Sequence, residues 1–219
     1  MDNEEVNAVC AAAGSVRCEQ LPLIPLNLDV SGDINAPVPV SVDGYQCRCC
    51  GLHTTKLWQG ARAGHADPHS VCTLCYLTGH LDSPTAAHGR IAFLPGLAMA
   101  DIQHLLRRSL IAILSGTKPQ QREGQRVWRW LVLHSQEVEV SWHTARACDF
   151  AVAMGRANPT KRLKLKERLA GCALILPADV FPDLSLLLPA GKSVNAALTP
   201  HSWGTYVRSD LYVEPHSLG

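Results

Sequence analysis

The stretch Cys47-Arg48-Cys49-Cys50-Gly51, followed later by Cys72-Thr73-Leu74-Cys75, decides the fold of this chain. Its spacing is C-x2-C-x21-C-x2-C, which is typical of a tetrahedral four-thiolate metal site. The ligating residues are then Cys47, Cys50, Cys72 and Cys75. Each C-x2-C turn brings two sulfurs to one side of a tight loop, and a glycine after the first turn permits a positive φ there. The pattern predicts one structural Zn²⁺ ion per chain, with the thiolate charge moderated by Arg48 or Lys56.

The other cysteines and the nearby histidines are not needed as ligands. Nine cysteines form an odd set, which argues against a complete disulfide framework. Using Cys49 as a ligand would break the x2 spacing, so we interpret it as a spare thiol. Four histidines lie near enough to replace a cysteine, but four thiolates already satisfy zinc: His53, His65, His69 and His80. The remaining cysteines are interpreted as small apolar fillers: Cys10, Cys18, Cys148 and Cys172.

Composition excludes several classes of protein. Apolar residues make up 47% and charged residues 18% of the 219 residues, which excludes a coiled coil and a highly charged disordered chain. A uniformly basic nucleic-acid coat protein is excluded because 20 Lys+Arg face 19 Asp+Glu. The acidic start is unlike a secretory signal, and no apolar run reaches the ~18 residues of a membrane span. We therefore expect a cytoplasmic protein with reduced cysteines.

Local patterns divide the chain into four parts. We predict an acidic, proline-containing N-terminal arm at 1–43, a zinc-finger segment at 44–95, a helical body at 96–189 and a C-terminal tail at 190–219. The finger is loop-like up to residue 80, and the tail is helix-poor or partly disordered. Periodicity and capping signals predict strands at 38–42 and 89–95 and helices at 99–114, 120–136, 141–154 and 158–169.

Two surface features invite a functional interpretation. Basic residues cluster on the last predicted helix, with only Glu167 opposing: Lys161, Arg162, Lys164, Lys166 and Arg168. This cluster is either a binding patch or a solvated helix face. A binding patch would take DNA or an acidic segment of a partner protein. Nucleic acid is possible but not favoured, because no aromatic residues interleave to stack bases. Trp128 and Trp130 cannot both point inward from one helix, so one is an exposed interface anchor or both lie at the core edge.

Paired knuckles at this separation fit a treble-clef or HNH-type finger. An HNH nuclease needs a catalytic histidine between the knuckles, yet 54–60 contains none, and His69-Ser70-Val71 stands where an Asn-Leu step is expected. A degenerate, non-catalytic HNH-like scaffold is the better fit, with no catalytic residues. The alternatives are an HNH-type metal-dependent nuclease and a DNA-binding zinc module.

Several blocks together resemble the DotN/IcmJ family of type IVB (Dot/Icm, IncI-type conjugation) secretion systems. They are Tyr45–Gly51, Val71–Cys75, Gly89–Leu97 with the helix after it, Lys166–Leu169 and Leu174–Pro177. The resemblance implies a non-enzymatic adaptor subunit that binds the C-terminal region of the type IV coupling ATPase and other coupling-complex subunits. Such an adaptor helps recruit substrate and reaches the inner membrane only through its partner. We expect an α+β protein: an HNH-like/treble-clef four-cysteine zinc finger joined to a mainly helical body.

Overall fold

A computed structural model describes residues 23–31, 46–60 and 69–214. Within these ranges the chain combines helices with two small antiparallel sheets, which confirms the mixed α and β composition expected from the sequence. The strand expected at 38–42, Cys10, Cys18 and His65 lie outside the described residues. No helix in the described part of the chain is long and apolar enough to span a membrane.

The segment expected to be loop-like contains regular structure. Strand β1 (Leu57–Gly60) pairs antiparallel with β2 (His69–Cys72), and helix α1 (Thr73–Thr78) begins directly after β2. Every residue of α1 is buried. Elements this short carry no visible period, which is why the sequence pattern missed them.

Helix α2 (Met99–Ser115) is the centre of the fold, and it follows strand β3 (Arg90–Phe93) as expected. Helix α3 (Lys118–Leu133) packs so closely along it that a Cβ at Gly124 would lie 2.8 Å from the Ser109 carbonyl oxygen. Helix α3 begins earlier than predicted, since a capping box at Thr117 and a proline in the first turn start it there.

The helix expected over 141–154 spans the end of one observed helix and most of the next. Helix α4 (Ser135–Trp142) ends at His143, which adopts a left-handed φ of 59°, and α5 (Ala147–Arg156) begins four residues later. The residues between them bond to the edge of β3: Ile91 N–H donates to the Ala145 carbonyl at 2.7 Å. This long-range pairing overrides the local helical period.

The last predicted helix is confirmed as α6 (Pro159–Arg168), with the Asn158 side chain accepting from the Lys161 N–H at 2.9 Å. Strand β4 (Cys172–Ile175) then returns antiparallel to β3, so the two strands join distant parts of the body. The described part of the predicted tail, residues 190–214, is mostly irregular but contains two short helices. It forms α7 (Val194–Leu198) and α8 (Trp203–Tyr206), and it packs against α2 and the cysteine-rich segment.

Candidate metal centre

Four cysteine sulfurs meet at the junction of the finger and α2. The sulfurs of Cys47, Cys50, Cys72 and Cys75 all lie within 4.8 Å of one another, and each of the four residues is at most 2% exposed. The Cys50 and Cys72 sulfurs are 3.6 Å apart. This cluster could hold a metal ion, and it unites the four residues that the spacing predicts.

The first knuckle is a tight turn closed by backbone hydrogen bonds. Gly51 N–H donates to the Cys47 carbonyl at 2.8 Å, and Cys47 N–H donates to the Leu52 carbonyl at 2.8 Å. Gly51 has a φ of 72°, as the sequence pattern anticipated. These backbone bonds close the turn so that it presents two thiols on one side.

The second knuckle uses the start of a helix. Cys72 ends β2 and caps α1 in extended conformation, and Cys75 lies in the first helical turn. The pairing of Leu57 with Cys72 in the β1–β2 sheet holds this end of the strand in place. A strand-to-helix step thus brings the second pair of thiols to the first pair.

We expect Gly51→Ala to destabilise the first knuckle twice. A Cβ there would lie 2.5 Å from Cγ1 of Val213, and the left-handed backbone costs a non-glycine residue about 1–2 kcal/mol. Because that Cβ would also lie 2.6 Å from Cβ of Val213, chemical unfolding of Gly51→Ala with and without Val213→Gly separates the two effects. The second change should relieve only the steric part, and equal stability of Gly51→Ala and wild type would contradict this account.

Arg107 is the cation beside the sulfurs. It projects from α2, is 2% exposed, and its Nη2 donates to the Cys72 sulfur at 2.9 Å and more weakly to the Cys50 sulfur at 3.8 Å. Its Nε and Nη1 are buried without a hydrogen-bond partner. Lys56, one of the two cations expected in this role, is exposed. Arg48, the other expected cation, bonds through its backbone N–H to the Ser70 carbonyl at 2.9 Å.

The thiols differ in their readiness to ionise. Burial raises the pKa of Cys47 and Cys75 well above the ordinary value. Burial acts the same way on Cys72, but hydrogen bonds from the other thiols and the charge of Arg107 outweigh it and bring its pKa well below the ordinary value. Arg107 therefore favours the thiolate form of Cys72.

His104, one turn before Arg107 on α2, joins the first knuckle to the tail. Burial, reinforced by the charge of Arg107, lowers its pKa to about 4, so the ring is neutral at pH 7. Because the Cys50 carbonyl, 2.9 Å from Nε2, can only accept, Nε2 carries the proton. Nδ1 then accepts from the Tyr206 hydroxyl at 3.2 Å, and burial raises the pKa of that hydroxyl to about 12, which keeps it protonated.

Sequence reasoning missed this layer around the cysteines. Gln103, His104 and Arg107 form a polar, buried face of α2, and Gln103 donates to the Thr78 hydroxyl at 3.2 Å. Tyr206 and Val213 close the cluster from the tail. The sequence carries one sign of this polar layer, because Arg107 is a charged residue inside the apolar run 105–114.

The spare thiol and the described histidines, His53, His69 and His80, stay outside the four-sulfur cluster. Cys49 is buried, and a hydrogen bond with Cys75, followed by one with His69, lowers its pKa to about 6. His80 Nδ1 donates to the Tyr76 carbonyl at 2.7 Å, and His53 is exposed. Cys172 lies buried in β4, where burial raises its pKa to about 11, in keeping with a filler.

Part of the basic cluster on α6 already pairs with another segment of the same chain. Residues 23–31 lie against the finger, where Ile24 N–H donates to the Arg48 carbonyl at 2.7 Å. In this segment Asp29 accepts from Arg162 Nε at 2.8 Å and from Lys166 Nζ at 2.7 Å. Arg162 also donates to the Val30 carbonyl. Arg168 lies over the Trp142 ring, 4.3 Å from its centroid. Lys161 and Lys164 are exposed, so the structure does not unite the five residues into one open patch.

Asp29 ties the finger to the body, because its backbone N–H and carbonyl also bond to Thr78 and Leu81. Burial opposes ionisation, but hydrogen bonds from Lys166 and Arg162 lower the pKa of the carboxyl below its ordinary value. We expect Asp29→Asn to lower the free energy of unfolding by about 2 kcal/mol at pH 7. Since a depressed pKa stabilises the fold above the unfolded value of ~3.9, the difference should vanish as the pH falls through the folded pKa.

Denaturant unfolding of both chains across this pH range measures the effect. Glu167→Gln is the matched control. It removes an exposed carboxylate from α6, the helix that carries Arg162 and Lys166, and it should change the stability little. A loss of stability in Asp29→Asn that is independent of pH would contradict the ion-pair explanation.

Comparison with protein-family models finds no match to this chain, and comparison with curated protein sequences finds none either.

Proposed function

We propose that the protein is a zinc-stabilised, non-enzymatic adaptor. The observation that carries this proposal is the closure of the cysteine cluster, in which four buried thiols face one another with a buried guanidinium beside them. A catalytic zinc site keeps a position open for water or substrate, whereas a structural site uses four protein ligands. A closed centre of this kind would stabilise the fold, and the surface of that fold would bind partner proteins.

The donor set suits zinc. A tetrahedron with metal–sulfur distances of about 2.3 Å has edges of about 3.8 Å, close to the 3.6 Å between the Cys50 and Cys72 sulfurs. Thiolates favour zinc over the harder magnesium and calcium ions, which prefer oxygen ligands. Four thiolates around Zn²⁺ leave two negative charges, and Arg107 would offset one of them. The ion would stabilise a segment whose elements are only four to six residues long.

The local architecture supports an HNH-like or treble-clef relationship for the finger. A knuckle, a short antiparallel β1–β2 hairpin and a helix that carries the second cysteine pair follow one another in the order of such fingers. With this fold, the resemblance of the motif blocks to the DotN/IcmJ family leads us to place the chain in a type IVB coupling complex. There it would bind the C-terminal region of the coupling ATPase and help recruit substrate.

Affinity capture from the native host tests the adaptor function. Tagged protein should retain the coupling ATPase, and Cys75→Ser should lose it because the finger no longer folds. Capture of other proteins without the ATPase, from cells that express it, would contradict the placement in the coupling complex.

The nuclease and DNA-binding alternatives have their own tests. Incubation with plasmid and Mg²⁺ or Mn²⁺ should leave the DNA intact, and cutting that disappears on His69→Ala would overturn the non-enzymatic proposal. Duplex binding that is salt-sensitive and lost when Lys161 and Lys164 are replaced by alanine would favour a DNA-binding module.

A further inference from the structure

The outer face of α3 and α4 carries large apolar side chains that remain in solvent. Trp130 is 45% exposed, Leu133 55% and Val140 79%. Single exposed apolar residues are ordinary, but several on one helical face form a patch of the kind that proteins use for association. Trp128, two residues before Trp130, instead donates from its ring N–H to the Leu176 carbonyl at 2.8 Å, so the two tryptophans divide between core edge and surface.

The face continues across the junction of the two helices. His134, between them, keeps right-handed φ and ψ values of −68° and −3°. The Trp130 and His134 rings meet edge to face with centroids 4.8 Å apart, and His134 Nδ1 lies 3.5 Å from a Glu137 carboxylate oxygen. These i, i+4 and i, i+3 contacts link the two helices. The exposed positions Trp130, Leu133, Glu137 and Val140 recur at the helical period and therefore share one side.

Trp130, Leu133, Glu137 and Val140 form a stripe whose apolar centre is Trp130 and Leu133. The charged residues before this centre and after it differ in net sign. Arg122, Arg126 and Arg129 precede it, with Glu123 among them, so that side is net positive. Glu137 and Glu139 follow it, and Glu139 pairs with Arg90. Arg126 lies four residues before Trp130, and Glu137 lies four residues after Leu133. The stripe is therefore complementary to itself when it is turned end to end.

We propose that a second copy of this chain docks on the stripe in an antiparallel, two-fold arrangement. The two-fold axis would pass between Trp130 and Leu133, so that each tryptophan meets the leucine of the other copy. Each Arg126 would then face Glu137 of the second copy. Isologous pairing of one patch with itself is the commonest form of homodimer, and opposite charges at its rim set the register.

Among the residues that the structure describes, Arg126 makes one ion pair. Its ion pair with Glu123, at 2.7 Å, joins side chains that are 77% and 56% exposed, and such surface pairs are weak. One helix pair buries less than the ~1,200 Å² of a standard interface, so the dimer is reversible and depends on concentration.

Sedimentation velocity over a range of concentrations tests the proposal. The wild-type chain should shift from monomer towards dimer, and Leu133→Asp should weaken association about tenfold or more because it puts a charge at the apolar centre. Arg126→Glu and Glu137→Arg should each weaken it, and the double variant should restore it because the facing charges are opposite again. Val152→Asp, a 51% exposed apolar site on α5, is the matched control and should associate as wild type does.

Three results would overturn the proposal. One is a chain that stays monomeric up to ~1 mM. Another is a dimer that is unaffected by Leu133→Asp or is not restored by the double charge exchange. The third is a monomer that co-sediments with phosphatidylglycerol vesicles through Leu133, which would assign the stripe to a lipid surface. Far-UV circular dichroism should first show that each variant keeps the wild-type helical content.

Discussion

Cys75→Ser is expected to lose the bound metal and to unfold the finger, because a serine hydroxyl is a poor replacement for a zinc thiolate. Metal binding supplies about 10–16 kcal/mol of apparent folding free energy in small zinc fingers, and a broken ligand set forfeits a large part of it. The Cys75 side chain is 2% exposed among the other three sulfurs, so no solvent ligand reaches the position without local opening. Metal content and thermal unfolding, measured on the same preparation, check this result.

Cys49→Ser is the matched control for this prediction. Cys49 is buried in the first knuckle, between Cys47 and Cys50, but its sulfur is not one of the four that cluster. The variant should keep one metal ion per chain and most of its stability. Equal metal loss in both variants would show that Cys49 is a ligand and that the assignment of the four sulfurs is wrong.

Arg107→Met is expected to weaken metal binding by about 10–100-fold, the usual effect of removing a group that supports the ligands. Without the guanidinium, the pKa of the Cys72 thiol rises and protons compete more strongly with the metal. The pH at which acid releases the metal should therefore move upward. A competition titration with a chromophoric chelator, repeated across pH, measures both effects.

The neighbouring Arg108→Met provides the control. Arg108 donates to the carbonyls of Ala197, Leu198 and Pro200 in the tail, and it makes no bond to a sulfur. Its loss should lower stability while leaving the pH of metal release unchanged. If Arg107→Met releases metal at the wild-type pH, then the guanidinium does not stabilise the thiolates.

The four clustered cysteines could be predicted from sequence because the cluster is built from two local turns whose spacing is visible in the chain. Cys47 and Cys50 close one turn, and Cys72 and Cys75 the other, so only the meeting of the two turns depends on tertiary structure. The long helix α2 was predictable for a similar reason, since Ile102, Leu106 and Leu110 repeat at the helical period and are all buried.

The surroundings of the cysteines could not be predicted, because long-range packing decides them. Arg107 is a buried counter-charge only because α2 crosses the finger, and a helical period does not tell which of its faces a second element covers. Tyr206 and Val213 reach the site from a tail whose two helices are too short to show a period. Arg162 was identified as a possible partner-binding residue, yet Asp29, 133 residues away in sequence, already pairs with it.

Native mass spectrometry of the purified, reduced chain tests the central claim most directly. The account predicts a folded species whose mass exceeds that of the metal-free chain by one zinc ion, less the protons that the thiols release. A narrow, folded charge-state distribution at the metal-free mass would contradict it, because the four buried thiols would then hold the finger together without zinc.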